Sequence, residues 1–459
     1  MADKKKKTFW NFFENTEGDK VVWIIVLVLI MFSILCIFSS TSRLLGPGQS
    51  RLDLVWDHLK IVILGLVLIL ACYFIPSLTF FKKLSSLGFI FSLGLLLLLI
   101  SGVDLGFVRS IEINGARRII QVGPLQLHVN EVVKVAMVLY LAWAIEAYKK
   151  KELRWLKNEP RAQKILYVYG PFLLITLLLL PGSNSAALFT GGIMFLTILL
   201  GGDSGKDLGI LMLAGIAALA LCIGTYKISG GKIFKRIGTG LSRVLDNEDY
   251  EAIVMKSRVG SVDYYQALDE IRQPYSAKIA VHQGGFIGKG PGQSTQRYVV
   301  PDISEDYMYS FIIEEYGILG GMVIVFLYLS LLARSAIIVR NCGKDLYAKL
   351  SVAGLSLLIC GQAFLHICVN VDIGPMTGQT LPMVSHGASA FLCFCIAFGV
   401  ILSISKIASK RIARETLNAD PLVDRSQEAA AIEHDLADLD DFESGNIKED
   451  ELSEEDYGI

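Results

Sequence analysis

Charged residues are scarce in this chain of 459 residues. Asp, Glu, Lys and Arg make up only 19% of the sequence, whereas 53% of it is hydrophobic, and the mean hydropathy is +0.51. The long uncharged runs exceed what a soluble core can hold. The composition therefore excludes an ordinary soluble enzyme and predicts a membrane protein with many spans.

The sequence also lacks the motifs of several common sites. None of its six histidines lies in an HExxH motif or in the Cys/His spacing of zinc sites, so no zinc site is expected. Within the glycine-rich segment 284–292, Gly288 and Lys289 are followed by Gly290, where a Walker A loop needs Ser or Thr. We therefore expect neither a nucleotide cofactor nor a nucleic-acid partner.

The eight cysteines do not form a recognisable disulfide framework. Seven lie in or at the edges of apolar runs, and Cys342 lies in a predicted cytoplasmic loop. We interpret them as small packing residues. No small-residue cleavage site follows a short apolar run near the N-terminus, so the first span is expected to serve as a signal anchor.

Apolar runs of about 20 residues, the length that crosses ~30 Å of hydrocarbon, recur along the chain. They predict an all-α polytopic membrane protein with about ten transmembrane helices. The predicted spans begin near Val21, Trp56, Leu84, Val132, Ile165, Ala186, Leu208, Tyr307, Ala348 and Ala388. Loops rich in Lys and Arg alternate with loops that are poor in them, which places both termini in the cytoplasm.

Three regions of the chain differ in composition. Residues 1–20 form a basic cytoplasmic N-terminus, and residues 21–410 form the membrane domain, in which 227–305 is a large extracytoplasmic loop between spans seven and eight. Residues 411–459 form an acidic cytoplasmic tail. Such a tail cannot bury enough apolar surface to fold alone, so we expect it to be disordered, either contacting partners or only solvating the protein.

A carboxylate stands at the head of the eighth span. Asp306, with Asp302 and Glu305 beside it, follows the glycine-rich basic loop. A carboxylate beside a polar cavity can act as the general base for a sugar hydroxyl, whereas helix capping explains the same residue equally well. Glu314 and Glu315, about two turns further in, are expected to be structural unless a polar cavity reaches them.

A second polar cluster precedes and enters the fourth span. Glu131 and Lys134 are three residues apart and share a helix face, so they can neutralise each other inside the bundle. Arg117 and Arg118 lie outside the membrane, where together they can bind a diphosphate. Contact with lipid phosphates at the interface is the alternative for these two arginines.

A third cluster lies between the last two spans, at 369–391. Its glycines and prolines prevent a regular helix, and irregular backbone at membrane depth is tolerated where it lines a polar cavity. The polar groups available to such a cavity are those of Asn370, Asp372, Thr377, Gln379, Thr380, Ser385 and His386. A plain outer loop is the alternative.

With these clusters in order, residues 20–410 resemble the SEDS family of shape, elongation, division and sporulation proteins, which are peptidoglycan glycosyltransferases. The family's motifs are matched by NGARR at 114–118, HVNE with Lys134, the glycine-rich loop at 284–294, the junction at 301–307, and the segment 377–389. Some positions depart from the family pattern, namely Ile119, Val129, Asn130, Asp302 and Ala388. PGSNSA at 181–186 replaces a PDxG-like segment, and no role is expected there.

The resemblance implies a reaction and a set of site residues. Asp306 corresponds to the catalytic aspartate, which would accept a proton as two lipid II molecules are joined and undecaprenyl diphosphate leaves. Positive charge on Arg117, Arg118, Lys289 and a divalent cation, Mg²⁺ or Mn²⁺, would stabilise the leaving group. The substrate-binding residues implied are Arg117, Arg118, Glu131, Lys134, Lys289, Ser294, Gln379, Thr380, Ser385 and His386.

The resemblance also implies partners and a location. These are lipid II, membrane lipids, a class B penicillin-binding protein as transpeptidase, and other cell-division proteins, at the septum of the bacterial inner membrane. The GQTLP and SHG forms at 378–382 and 385–387 favour a division member over an elongation member. A lipid flippase or transporter, which would also need polar groups in its spans, and a non-enzymatic scaffold are the rival hypotheses.

Overall fold

The structure is a computed structural model that describes residues 17–40, 51–104, 106–113, 116–123, 125–229, 238, 250–300, 303–374 and 377–419. Most of the predicted basic N-terminus and nearly all of the acidic tail lie outside these residues. The same holds for Asn114 in the second cluster and for Pro301 and Asp302 in the junction 301–307 of the resemblance.

Each of the ten predicted spans coincides with helix. The helices in this part of the chain are α1 Lys20–Ser40, α2 Arg51–Phe74, α3 Leu78–Ser86, α4 Gly88–Ser101, α5 Val129–Lys149, α6 Pro160–Lys164, α7 Gly170–Leu179, α8 Asn184–Leu200, α9 Gly205–Ile228, α10 Tyr250–Lys256, α11 Val262–Gly284, α12 Met308–Asn341, α13 Leu346–Asn370 and α14 Ala388–Ala419. Helices α3 and α4 together form the third span, and α6 and α7, joined by the π-helical turn Ile165–Tyr169, form the fifth.

Eight helical segments among the described residues are long and apolar enough to cross a membrane. The two other predicted spans are α5, which carries Glu131 and Lys134, and α8, which is 17 residues long. Helix α14 is central, since 83% of its most apolar window is buried inside the protein. The prediction of a polytopic helical membrane protein is confirmed.

The all-α prediction misses a small sheet before α5. Strands β1 Val108–Ile113, β2 Ala116–Val122 and β3 Leu125–His128 pair antiparallel in the order β1-β2-β3. The strands are short, and β3 alternates apolar and polar residues, which suits a pleated ribbon with two unlike faces. Ala116, Arg117 and Arg118 of the NGARR motif therefore lie in a strand.

The region predicted as a large extracytoplasmic loop, 227–305, contains helical structure as well. Helices α10 and α11 lie within it, followed by a 3₁₀ turn at Gln296–Tyr298. Ser261 caps α11 by accepting a hydrogen bond from the N–H of Tyr264. Because α11 ends at Gly284, the glycine-rich loop leaves a helix and returns towards α12.

Helix α12 is broken at Gly317, where φ is +71° and ψ is −177°. The break leaves carbonyl groups without helical partners, and the glycine-rich loop supplies donors to them. The N–H groups of Lys289 and Gly290 donate to the carbonyls of Glu314 and Glu315, both at 2.9 Å. In return, the N–H of Ile318 donates to the Gly285 carbonyl at 3.0 Å. The loop thus completes the hydrogen bonding of the interrupted helix.

Ion pairs fasten the opposite ends of the helices. Lys82 contacts Glu146 at 3.0 Å and Asp345 at 2.9 Å, which ties α3 to α5 and to the start of α13. Burial acts to raise the pKa of Asp345, but hydrogen bonds from Ala348 and Lys82 outweigh it and hold the pKa below its usual value. Asp345 therefore stays ionised at neutral pH.

Replacing Gly317 with alanine is expected to destabilise the protein strongly. A Cβ at this position would collide with the Phe286 carbonyl, and its φ is disfavoured for any side chain. We expect a loss of about 2 kcal/mol or more in unfolding free energy, measured by thermal unfolding in detergent. The control is Gly215→Ala in α9, where a Cβ meets no described atom within 4 Å. Equal melting of the two variants would contradict this account of the break.

Candidate active site

Asp306 lies in a turn just before α12 and is half-buried. The helix begins after Tyr307, whose side chain makes no capping bond, and the first N–H groups are taken by residues of α13 instead. Because His366 and Asn370 accept from the Tyr309 and Ser310 N–H groups, these two groups do not depend on capping by Asp306. Its carboxylate oxygens face Gly378, lying 3.7 and 4.0 Å from the position that a Cβ of this glycine would occupy.

The segment 377–387 wraps around the turn that carries Asp306. Ser385 Oγ donates to the Glu305 carbonyl at 2.8 Å and accepts from the Leu381 N–H at 2.9 Å. The backbone N–H of His386 donates to the Ser304 carbonyl at 2.8 Å, and its Nδ1 lies 3.5 Å from Glu305 Oε1. The third predicted cluster therefore meets the first, and segment 377–387 is not a plain outer loop.

Three polar side chains of α13 hold these irregular segments from below. Gln362, His366 and Asn370 are spaced by four residues, share one helix face and are at most 1% exposed. Asn370 donates to the Asp306 carbonyl at 3.0 Å and accepts from the Ser310 N–H at 2.9 Å. Gln362 donates from Nε2 to the Thr380 carbonyl at 3.0 Å.

Lys134 is the cationic centre of the site, although only 1% of it is exposed. Its Nζ lies 2.7 Å from Glu131 Oε1 and donates at 2.8 Å to Oε1 of both Gln362 and Gln379. The predicted mutual neutralisation of Glu131 and Lys134 is therefore present. Glu131 Oε2 is buried without a hydrogen-bond partner among the described residues, and a substrate hydroxyl could donate to it.

His128 connects the sheet to the same site. It precedes α5, and its N–H donates to Ser389 Oγ at 3.2 Å. The N-terminal ends of α5, α12 and α14 and the C-terminal end of α13 therefore converge at one membrane face.

Arg117 and Arg118 occupy consecutive positions of β2 at a β-bulge, where Ile111 pairs with Ile119 and Glu112 pairs with Arg117. Arg118 donates to the Gly182 carbonyl at 3.0 Å, and Arg117 donates to the Ile100 carbonyl at 3.1 Å. The two guanidinium groups thus contact different parts of the chain, and their joint binding of one diphosphate stays a prediction. Arg117 is exposed and borders a cavity of about 220 Å³.

Lys289 and Ser294 belong to a separate cluster around two buried carboxylates. Lys289 Nζ lies 2.6 Å from Glu314 Oε1, and Ser294 Oγ donates to Glu314 Oε2. Glu315 accepts from Ser39 Oγ and from the Ser294 N–H. Both carboxylates therefore hold the glycine-rich loop, the structural role expected for them. Substrate binding by Lys289 and Ser294 stays a prediction.

The predicted site residues thus fall into three groups. The first group is Asp306 with Ser385 and His386, which contact the turn before α12. Helix α13 connects this group to Thr380, Gln379, Lys134 and Glu131, through Gln362 and His366. The second group is Arg117 and Arg118 of β2, which contact Ile100 and Gly182. The third is the cluster of Lys289 and Ser294 around Glu314. Sequence reasoning missed Gln362 and His366, although these two residues and Asn370 follow one another at intervals of four along an apolar helix, which marks a buried polar face.

The fold and the site define a polytopic membrane protein with a buried polar site at one membrane face. The sequence model of the FtsW/RodA/SpoVE family, described as cell cycle protein, matches residues 19–410. The chain belongs to this family, and the predicted SEDS membership is confirmed.

Bacterial relatives carry names that agree with the predicted activity. The chain is 28% identical to the probable peptidoglycan glycosyltransferase FtsW of Coxiella burnetii, over 86% of this chain and 96% of that protein. It is 26% identical to the protein of the same name from Enterococcus hirae, over 89% and 99%. Stage V sporulation protein E of Bacillus subtilis is also 26% identical, over 86% and 98%.

Solved structures show the same fold. A chain from a peptidoglycan synthase complex, studied for the coordination of polymerization and crosslinking, aligns with a TM-score of 0.59 at 22% identity, covering 85% of this chain and 98% of that one. The rod shape determining protein RodA of Thermus thermophilus aligns with a TM-score of 0.54 at 20% identity, over 85% and 97%.

Replacing Lys134 with methionine is expected to cost about 3–5 kcal/mol of unfolding free energy, because the Glu131 carboxylate is left buried without its cation. The double variant with Glu131→Gln should recover part of this loss. The control is Arg109→Met, whose pair with Asp104 is exposed and should contribute about 1 kcal/mol or less. Thermal unfolding of the three variants and the wild type measures this, and an unchanged melting temperature for Lys134→Met would contradict the assignment.

Proposed function

We propose that the chain is a peptidoglycan glycosyltransferase that polymerises lipid II into linear glycan strands. The observation that carries the proposal is the position of Asp306 against Gly378, while Lys134 binds the next residue, Gln379. The Asp306 carboxylate and the Lys134 ammonium group therefore lie against adjacent residues of the segment 377–387, at the membrane face. This arrangement suits a substrate whose reacting sugar and charged diphosphate lie at the bilayer surface.

In the proposed reaction, Asp306 accepts the proton of the 4-hydroxyl of the acceptor GlcNAc. The hydroxyl oxygen forms a bond to the anomeric carbon of the donor sugar from the side opposite the diphosphate. The bond between that carbon and the diphosphate oxygen breaks, and undecaprenyl diphosphate leaves with the electron pair. The configuration at the anomeric carbon is inverted, and the diphosphate ester supplies the driving force without a nucleotide.

Stabilisation of the leaving group requires positive charge near the diphosphate. Arg117 is the most accessible candidate, because its side chain is exposed and borders the cavity beneath the sheet. Leu96, Leu99 and Leu178 line the same cavity, so an apolar lipid segment could lie beside the guanidinium group. Lys289 is less accessible, since its ammonium group contacts Gln283, Thr295 and Glu314.

A divalent cation, Mg²⁺ or Mn²⁺, remains part of the proposal. The described residues include no group of three or more His, Cys, Asp or Glu side chains that could hold a metal ion. Magnesium in phosphate sites is commonly held by one or two carboxylates together with substrate oxygens. Glu305 or Asp306 would hold such a cation with the diphosphate, where it would add positive charge.

We further propose a division role at the septum, with both termini in the cytoplasm and a class B penicillin-binding protein as the crosslinking partner. The FtsW names of the relatives support division, and the synthase complex supports a penicillin-binding partner. An elongation polymerase of the RodA type is the second candidate, favoured by the likeness to RodA.

Cells depleted of the protein should filament, whereas rounding would favour the second candidate.

Asp306→Asn is expected to abolish glycan formation, since the amide cannot accept the hydroxyl proton. The assay follows polymer formed from purified lipid II by the full chain with its transpeptidase partner, at matched folding. The control is Asp372→Asn, because Asp372 is exposed and its carboxylate pairs with Lys278. Equal polymer from Asp306→Asn and the wild type would contradict the proposal. Lipid translocation without polymer would favour a flippase or transporter.

A further inference from the structure

The imidazole of His366 joins two segments of the site that are distant in sequence. Its Nε2 lies 3.3 Å from the N–H of Tyr309, three residues after Asp306. Its Nδ1 lies 2.7 Å from the carbonyl oxygen of Gln379, the residue that Lys134 binds. One planar ring therefore spans from the start of α12 to the segment 377–387.

These two contacts fix the protonation state of the ring. A backbone N–H can only donate, so Nε2 of His366 must carry a free lone pair. A carbonyl oxygen can only accept, so Nδ1 must carry the proton. The ring is therefore neutral and protonated on Nδ1, and it is 1% exposed. An imidazolium ion, or the tautomer protonated on Nε2, would break the contact to Tyr309.

The contact to Tyr309 replaces a bond that the helix cannot make. The first N–H groups of a helix lack partners within it, and Tyr307 supplies no side-chain cap to α12. His366 accepts from Tyr309, while Asn370, one turn further along α13, accepts from Ser310. Two side chains of α13 thus fix the start of α12, and Asp306 lies in the turn just before it.

We propose that His366, neutral and protonated on Nδ1, is a positioning residue that sets the separation between Asp306 and the Lys134–Gln379 pair. The proposal rests on the proposed function, in which Asp306 accepts a proton while positive charge stabilises the diphosphate. A displacement of ~1 Å between reacting groups can cost about 10²-fold in rate. His366 touches no substrate in this role and acts through the two backbone segments that it joins.

Three substitutions separate the two contacts. His366→Leu removes both of them. His366→Asn places its amide atoms one bond from Cγ, as Nδ1 is, so it can still donate to the Gln379 carbonyl but cannot reach Tyr309. The side chain in His366→Gln is one bond longer, so it can accept from Tyr309 in place of Nε2.

Steady-state glycan synthesis by the full chain with its transpeptidase partner provides the first measurement. We expect His366→Leu to lower kcat by about 10²-fold with KM for lipid II within about twofold, because substrate contacts remain. His366→Asn and His366→Gln should each retain more activity than His366→Leu. The control is Tyr347→Phe, which removes a buried hydroxyl contact with Ser85 at the far end of α13 and should leave kcat unchanged.

Hydrogen exchange of the purified chain provides the second measurement and needs no substrate. Peptides that contain the Tyr309 amide should exchange faster in His366→Leu and His366→Asn but not in His366→Gln. Unchanged exchange in all three variants, or a kcat of His366→Leu within twofold of the wild type, would overturn the proposal. A wild type that forms no glycan would instead contradict the proposed function, and the exchange data distinguish the two failures.

Discussion

Irregular backbone at membrane depth must find its hydrogen-bond partners inside the protein, and the site depends on this constraint. The turn before α12 and the segment 377–387 cannot pair with themselves as a helix does. Asn370, His366 and Gln362 supply the missing partners from one face of α13. Because a helix is rigid, the same three side chains also set where Asp306 lies relative to Lys134.

A second device of the same kind lies at the break in α12. The glycine-rich loop donates N–H groups to the carbonyls freed near Gly317, while Glu314 binds Lys289 and Ser294. Buried carboxylates and a lysine thus serve the architecture at this point. The glycine motif is explained by close approach of backbones, and the chemistry is proposed for the neighbouring cluster around Asp306.

Hydropathy alone predicted the positions of the ten spans, because a run of about twenty apolar residues in a bilayer forms a spanning helix, whereas it did not predict α10 and α11. The sheet was missed, since its strands are short and lie between glycines, and the β-bulge at Arg117 and Arg118 was missed with it. His366 resembles an ordinary buried histidine until its spacing from Gln362 and Asn370 is considered. The catalytic role of Asp306 was predicted through the family resemblance, because residue type alone could not separate a base from a helix cap, and it stays a prediction.

The central claim is that the reacting sugar lies at Asp306 and not at the Glu314 cluster. A structure of the full chain bound to an unreactive lipid II analogue tests it most directly. If Asp306 is the general base, we expect the acceptor 4-hydroxyl within about 2.6–3.2 Å of its carboxylate, with the contact between Lys289 and Glu314 intact. A sugar bound against Glu314, with Lys289 turned onto the diphosphate, would contradict it.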